Sequence, residues 1–306
     1  NVLISQNLGE KLRFLINLQY LNIAVGLSEL VKTTGINAVW MVVMLVIGIV
    51  IGAAGFYAVS SFITPQEKPS LVETIKSRGK LIVGTSADWP PFEYIDAKGN
   101  YAGIDIAIAD KIAKELGVQL EVKDMKFAAL IEALKGGQVD LVIADLHHTA
   151  EREREIDFSK GYYVAYDAAV VVLKSRASEF KDEQSLYGKN IGVQLGTIQE
   201  EWANEHLKGK SSIVSYDRVY PEMVMTLKRG DLDALIVGDI IGQVLASRDP
   251  DLEVVMRLGS LSGAAIGIPQ GAEDLKYVVN KVIEDLINSG EMDRIFQDEI
   301  NKWLGT

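Results

Sequence analysis

An α/β domain built on doubly wound sheets, carried behind one membrane-crossing α-helix, is the architecture this sequence predicts. Three observations carry that expectation. Short apolar runs alternate with amphipathic stretches from residue 70 onward, 34 uncharged residues (33–66) separate Lys32 from Glu67, and a polar segment bounded by Pro65 and Pro69 divides the two regions. With 306 residues and 48% hydrophobic side chains, the chain can bury more than one core, so two or three folding units are expected.

Residues 1–36 come first. Leu8, Leu12, Leu15, Ile16, Leu18, Leu21, Ile23 and Val25 suggest a helix, but Asn17, Gln19 and Asn22 interrupt any clean apolar span, so an interfacial or partner-packed amphipathic helix is expected. The first residue is Asn1 rather than methionine, with the expectation that upstream sequence has been processed or is absent. Residues 37–63 are read as a transmembrane helix, because the stretch from Ala38 to Ile63 exceeds the roughly 20 residues a helix needs to cross a bilayer. A cleaved signal peptide has an apolar region of only about 7–15 residues, so this segment reads as a retained anchor. Lys11, Arg13 and Lys32 precede it, which places the N-terminus in the cytoplasm and the large domain outside the cell membrane. Membrane lipid is thus one expected partner. Gly48 and Gly52, four apart, would let a helix of a membrane-protein partner approach closely, although glycine is common in membrane helices for other reasons. Residues 64–69 form an extended linker.

The outer domain, residues 70–306, opens with a buried strand at Lys80 to Thr85. Ile104, Ile108, Ile112 and Leu116, with Ala109 and Ala113, mark one face of a helix stopped by Gly117. Strands at Glu121 to Lys123 and Leu141 to Ala144 flank a helix at Ala128 to Lys135, further strands follow at Asn190 to Val193 and Leu235 to Val237, and Leu275, Val278, Val279, Val282, Ile283 and Leu286 form a late helical stripe. Doubly wound sheets bind ligands at the carboxyl ends of their strands.

Charge and composition exclude several functions. The formal charge is -11, and residues 66–306 alone carry -12, a surface that repels phosphate backbones and argues against nucleic acid. The chain has no cysteine, which removes disulfides, thiolate metal sites and thiol nucleophiles. His147 and His148, with Asp145, raise the question of a metal. Adjacent histidines point in different directions and His206 is distant in sequence, so neither metal nor cofactor is expected.

An ordered series of short motifs adds to this pattern: Val83-Gly84-Thr85 before Trp89-Pro90-Pro91-Phe92-Glu93-Tyr94, Gly103-Ile104-Asp105-Ile106, Phe127 before Leu134-Lys135-Gly136-Gly137-Gln138-Val139-Asp140, Thr149-Ala150-Glu151-Arg152 running into Ile156-Asp157-Phe158-Ser159, and Val193-Gln194-Leu195-Gly196-Thr197. In this order the motifs resemble the type II periplasmic solute-binding proteins of the polar-amino-acid ABC transporter family, from about Ser70 to Gly305. The resemblance implies two lobes, at about 70–168 plus 262–306 and about 169–261. They would be hinged by crossovers through Tyr162 to Leu173 and Leu261 to Ile268.

The same resemblance implies a ligand site. Arg152 stands where the family grips the ligand carboxylate, and Asp239 where it accepts from the ligand ammonium, although a surface arginine and a plain helix cap remain the alternatives. Trp89 and Phe127 match an aromatic pair that sandwiches the ligand side chain, or are ordinary core. Ser86 replaces an aspartate common in binders of glutamine and basic amino acids. Gln194, Gly196, Thr197 and Ile198 belong to the second-lobe side, where Gly196 and Thr197 offer backbone N–H groups to an anion. Asp145, His147 and Ile198 stand where the family carries small or hydroxyl residues. Asp145 is expected within about 4–6 Å of Arg152, competing for its guanidinium with a solute's own carboxylate.

A binding module that captures an amino acid or related amine and presents it to an ABC permease or other membrane assembly is therefore the leading expectation, and not an enzyme. An accessory subunit with a non-binding cleft is the alternative. A cyclohexadienyl-dehydratase-like enzyme using Asp145 and His147 as acid and base is a further one.

Overall fold

The computed structural model describes Trp40, Val43, Met44, residues 46–52 and residues 70–306. Residues 46–52 are helical and their large apolar side chains are exposed. No helix among the described residues is long and apolar enough to cross a membrane. The interfacial segment expected over 1–36, the linker over 64–69 and most of the span expected over 37–63 lie outside the described residues. The chain from Pro69 to Thr306 forms a compact unit by itself.

The first helix of that unit, α1 (Leu71–Arg78), begins where Ser70 and Glu73 cap each other reciprocally and ends at Gly79 in the left-handed conformation. It delivers β1 (Lys80–Thr85). A small antiparallel sheet of β2 (Asp88–Trp89), β3 (Glu93–Ile95) and β4 (Tyr101–Ala102) follows, and then α2 (Ile104–Leu116). The α2 stripe read from the sequence is the buried face: Ile104, Ile108 and Ile112 are fully buried and Leu116 nearly so. Each such side chain contributes about 1.5–3 kcal/mol by leaving water. Gly103 precedes it at φ 120°, where a Cβ would lie 2.1 Å from the Phe92 carbonyl oxygen, so no other residue fits that approach.

After α2 come β5 (Gln119–Asp124), α3 (Leu130–Lys135), β6 (Leu141–Val142), β7 (Asp157–Phe158) and β8 (Ala165–Leu173). The predicted helix at Ala128 to Lys135 is split into a 3-10 turn over Phe127–Ala129 followed by α3. The strand expected to reach Ala144 stops pairing at Val142, because three residues later Asp145 takes φ 45° and leaves extended geometry. Next come β9 (Asn190–Gln194), α4 (Ile198–Leu207), β10 (Ser212–Tyr216), α5 (Val224–Arg229), β11 (Ala234–Val237), α6 (Asp239–Arg248) and β12 (Leu252–Ser262). The chain closes with β13 (Gly267–Ile268), α7 (Glu273–Asn288) and α8 (Glu291–Leu304).

Two five-stranded sheets result, ordered β5-β1-β6-β13-β7 and β10-β9-β11-β8-β12. The first forms one lobe with the helices packed on it, the second the other. Strands β1, β5 and β6 run parallel, as do β9, β10 and β11, while β8, β12 and β13 pair antiparallel to their neighbours. The segments expected as crossovers are largely strand. Strand β8 carries the chain into the second sheet and β12 brings it back, pairing from Leu252↔Leu173 to Ser262↔Ala165 with two register breaks. Strand β8 is a continuous buried run from Ala168 to Val172, whereas β12 is mostly half-buried or exposed and broken by the two register shifts, so β12 carries no clean alternation.

Candidate ligand-binding cleft

The carboxyl ends of β1, β6, β9 and β11 meet in one crevice between the lobes, the position where such sheets hold small molecules. From these ends come Trp89, Asp145 and His147 on one side and Gln194, Thr197 and Ile198 on the other. They join Phe127 and Arg152 around a space of about 10 Å³, room for one water-sized body. Ser86 and Asp239 lie outside that lining, and Gly196 faces a larger outer recess of about 360 Å³ shared with Thr149, Arg152 and Glu200.

Arg152 spans the crevice. Its guanidinium donates to the His147 carbonyl at 2.7 Å and to the Gly196 carbonyl on the opposite lobe at 3.0 Å, with the Phe127 ring 5.5 Å below its carbon. Phe127 therefore pairs with the guanidinium. Trp89 packs on the other lobe's backbone, since a Cβ on Gly238 would stand 3.3 Å from its ring.

Asp145 and Arg152 act on each other's charge, but the expected competition does not take the form of a direct bond. The Asp145 N–H donates to Asp105 at 2.7 Å, which fixes the left-handed backbone. Its carboxyl group accepts from Trp89 Nε1 at 2.8 Å and from the Tyr163 hydroxyl. Arg152 makes no ion pair among the described residues, its donors being directed to the two carbonyls. Two further groups are likewise engaged internally. Asp239, the first residue of α6 rather than its cap, accepts from Arg257 at 2.8 Å and Gln243 at 2.9 Å. The Gly196 N–H donates to Glu200 at 2.7 Å, so it is not offered to an anion.

Burial sets the proton positions. It pushes Asp145 up to about 8 against the hydrogen bond from Tyr163, and pushes Asp105 beneath it up to about 6. Glu93, wholly buried, is raised well above the carboxylate range, by burial first and then by Asp105 and Asp145. His147 moves the other way, down to about 4, also through burial. Arg152 is lowered to about 10 by burial, opposed by Glu201, Glu151 and Asp145. Burial thus favours the protonated form of Asp145 and the neutral imidazole of His147, beside the Arg152 guanidinium.

A second polar cluster, not marked by any motif, joins the lobes beside the crevice. Asp88, 3% exposed, accepts from Ser86 Oγ at 2.6 Å, from Gln194 Nε2 at 3.0 Å and from the Val219 N–H. Arg218 donates to both oxygens of Asp124 at 2.8 and 2.9 Å and reaches Asp88 at 3.3 Å. Gln194, Arg218 and Val219 belong to the second lobe, so Asp88 is a latch between lobes. Lys126 and Asp217 add an ion pair at 2.7 Å. On the far side, Trp303 at the end of α8 packs on Tyr94 of its own lobe and on Tyr220 and Arg248 of the other. Among the described residues no three metal-ligating side chains form a group that could hold an ion. His148 packs on Phe158, and His206 stacks on Trp202.

The family described as bacterial extracellular solute-binding proteins, family 3, matches residues 81–306. The arginine-binding extracellular protein ArtP of Bacillus subtilis (strain 168) is 37% identical over 220 residues, 71% of this chain and 84% of that protein. An amino acid ABC transporter substrate-binding protein of Streptococcus pneumoniae, solved bound to L-arginine, superposes with TM-score 0.72 at 34% identity, over 76% of this chain and 99% of its own. An ancestral amino-acid-binding protein, described as a precursor of cyclohexadienyl dehydratase, gives TM-score 0.71 at 30% identity, over 76% of this chain and all (100%) of its own.

Proposed function

The chain belongs to the bacterial extracellular solute-binding proteins, family 3, and from that premise we propose that residues 70–306 capture a small amine-bearing solute, an amino acid or a relative of one, between the two lobes. The apolar run at 37–63 would hold this domain outside the cell membrane and present it to an ABC permease or a larger membrane assembly. One observation carries the reading. An arginine, two aromatic rings and the ends of four strands converge at the junction of two lobes joined by β8 and β12, where a hinge motion can close them on a solute. The match to a protein solved with L-arginine supports the solute class.

Thermal unfolding of the full chain tests this. L-Arginine, L-cystine, agmatine and prephenate at about 100 times their dissociation constants should each, if bound, add about 2.7 kcal/mol of stability. A rise with an amine-bearing compound and none with prephenate is expected. No rise with any of them favours the second reading, an accessory subunit, which the internal pairing of Asp239 with Arg257 and of Arg152 with two carbonyls also supports. The topology has its own test. Protease added to intact cells should digest residues 70–306, and protection of that domain would reverse the orientation.

A further inference from the structure

His147 is tied to the hinge. Its Nδ1 lies 2.8 Å from Ser262 Oγ at the end of β12, and Ser262 Oγ in turn donates to Asp167 on β8. Asp167 also accepts from the Ser260 N–H at 2.6 Å and the Ser260 hydroxyl at 3.0 Å, so three donors converge on this carboxylate. A serine hydroxyl has one proton. Because Ser262 gives it to Asp167, its oxygen is left to accept from His147, and the imidazole proton must sit on Nδ1. The other ring nitrogen, Nε2, then carries a lone pair. It makes no hydrogen bond among the described residues, while the ring lines the crevice beside Arg152 and Gln194.

We propose that His147 is the specificity-determining residue of the cleft, held by Ser262 and Asp167 with Nε2 as a hydrogen-bond acceptor, so that the site selects a solute presenting an N–H donor there over one presenting a carboxylate oxygen. The assignment rests on the solute-binding reading above and names its polarity. An acceptor at this point repels the lone pairs of a carboxylate and is satisfied by an ammonium or guanidinium. Burial keeps the ring neutral, with its pKa down to about 4, so the lone pair is not lost to protonation near neutral pH. The adjoining Asp145 does not restore a carboxylate site, since its oxygens already serve Trp89 and Tyr163.

Two measurements on the full chain decide this. The first is ring-nitrogen NMR with labelled histidine, practicable because the chain holds only three histidines. It should find His147 protonated at Nδ1 and bare at Nε2, and Ser262→Ala should abolish the single tautomer. A proton on Nε2, or an unchanged tautomer in Ser262→Ala, overturns the assignment. The second is calorimetry with L-arginine and with agmatine, which lacks only the carboxylate. Agmatine should bind the unmodified protein at least as tightly, and His147→Thr should shift the ratio toward L-arginine by about tenfold, the size of one net hydrogen bond. An unchanged ratio overturns the selection. If neither compound binds either protein, the solute reading falls, and the ring measurement alone then upholds or overturns the assignment of His147.

Discussion

Asp88→Ala is expected to unlatch the two lobes. The substitution strips a shared acceptor from Gln194 Nε2 and from the Val219 N–H, both donors from the opposite lobe. The Val219 N–H is left without a partner, at about 1–3 kcal/mol, while Gln194 Nε2 keeps a longer bond to the Asp217 carbonyl at 3.3 Å. Against that, burial raises the pKa of Asp88 to about 6, so the charged carboxylate is held at some expense that alanine removes. Arg218 also keeps its two bonds to Asp124. The net loss of stability should therefore stay within about 1–3 kcal/mol, while the interlobe arrangement loses its most buried junction. The absence of cysteine makes the readout direct, because Lys98→Cys in one lobe and Glu205→Cys in the other give two spin-label sites without background. The distance distribution between them should broaden and lengthen in Asp88→Ala. An unchanged distribution would mean that Asp88 supports its own lobe only.

Asp145→Asn is expected to stabilise the protein at alkaline pH. The folded-state pKa of Asp145, about 8, lies above its ordinary value of 3.8, so the folded protein keeps a proton that the unfolded chain gives up. Its contribution is fully present below the lower value and is lost as pH rises through the upper one. Each unit of separation is worth about 1.4 kcal/mol, which makes the loss across that window on the order of 5 kcal/mol. Asparagine cannot ionise, tolerates the left-handed backbone and can still accept from Trp89 through its carbonyl oxygen. Thermal unfolding at about pH 3.5, below both pKa values, should scarcely separate the two proteins, whereas at about pH 9 the variant should unfold roughly 10 °C or more higher. Equal melting temperatures at both values would show that Asp145 ionises in the folded state as freely as in the unfolded chain.

The sequence reveals helices and buried strands more readily than contacts between lobes. The stripe Ile104, Ile108, Ile112, Leu116 and the stop at Gly117 are local signals, and they mark α2 to the residue. Strands β1, β9 and β11 are apolar runs bounded by turns and are read within one or two positions. The crevice is legible only in part, through motifs that place Trp89, Phe127, Arg152 and Gln194 near one another. What satisfies those side chains is not legible. Arg257 comes to Asp239 from 18 positions away, Arg218 to Asp124 from 94 and Ser262 to His147 from 115. No periodicity connects such partners: the first pair depends on how α6 packs beside β12, and the other two on how the two sheets meet. Asp145 gave one signal that could have been read further. A residue that stands where glycine or serine is usual is apt to sit in backbone space that L side chains rarely occupy, and φ 45° is such a conformation.

The placement of β13 bears on how the protein is made. In the first sheet β13 lies between β6 and β7, yet it leaves the ribosome only after every strand of the second sheet has been synthesised. The second sheet, contained within residues 165–262, can pair completely while the first still has an open slot along β6 and β7. The lobe that begins the domain is thus the lobe that finishes last, and closing it requires joining strands more than a hundred residues apart, an entropic cost that grows only slowly with loop length. Until Gly267 and Ile268 arrive, the exposed strand edges of the early lobe are the part of the nascent chain most open to pairing with a neighbour. A chain terminated before β13 would carry a complete second sheet attached to a first sheet whose strands β6 and β7 lack the strand between them.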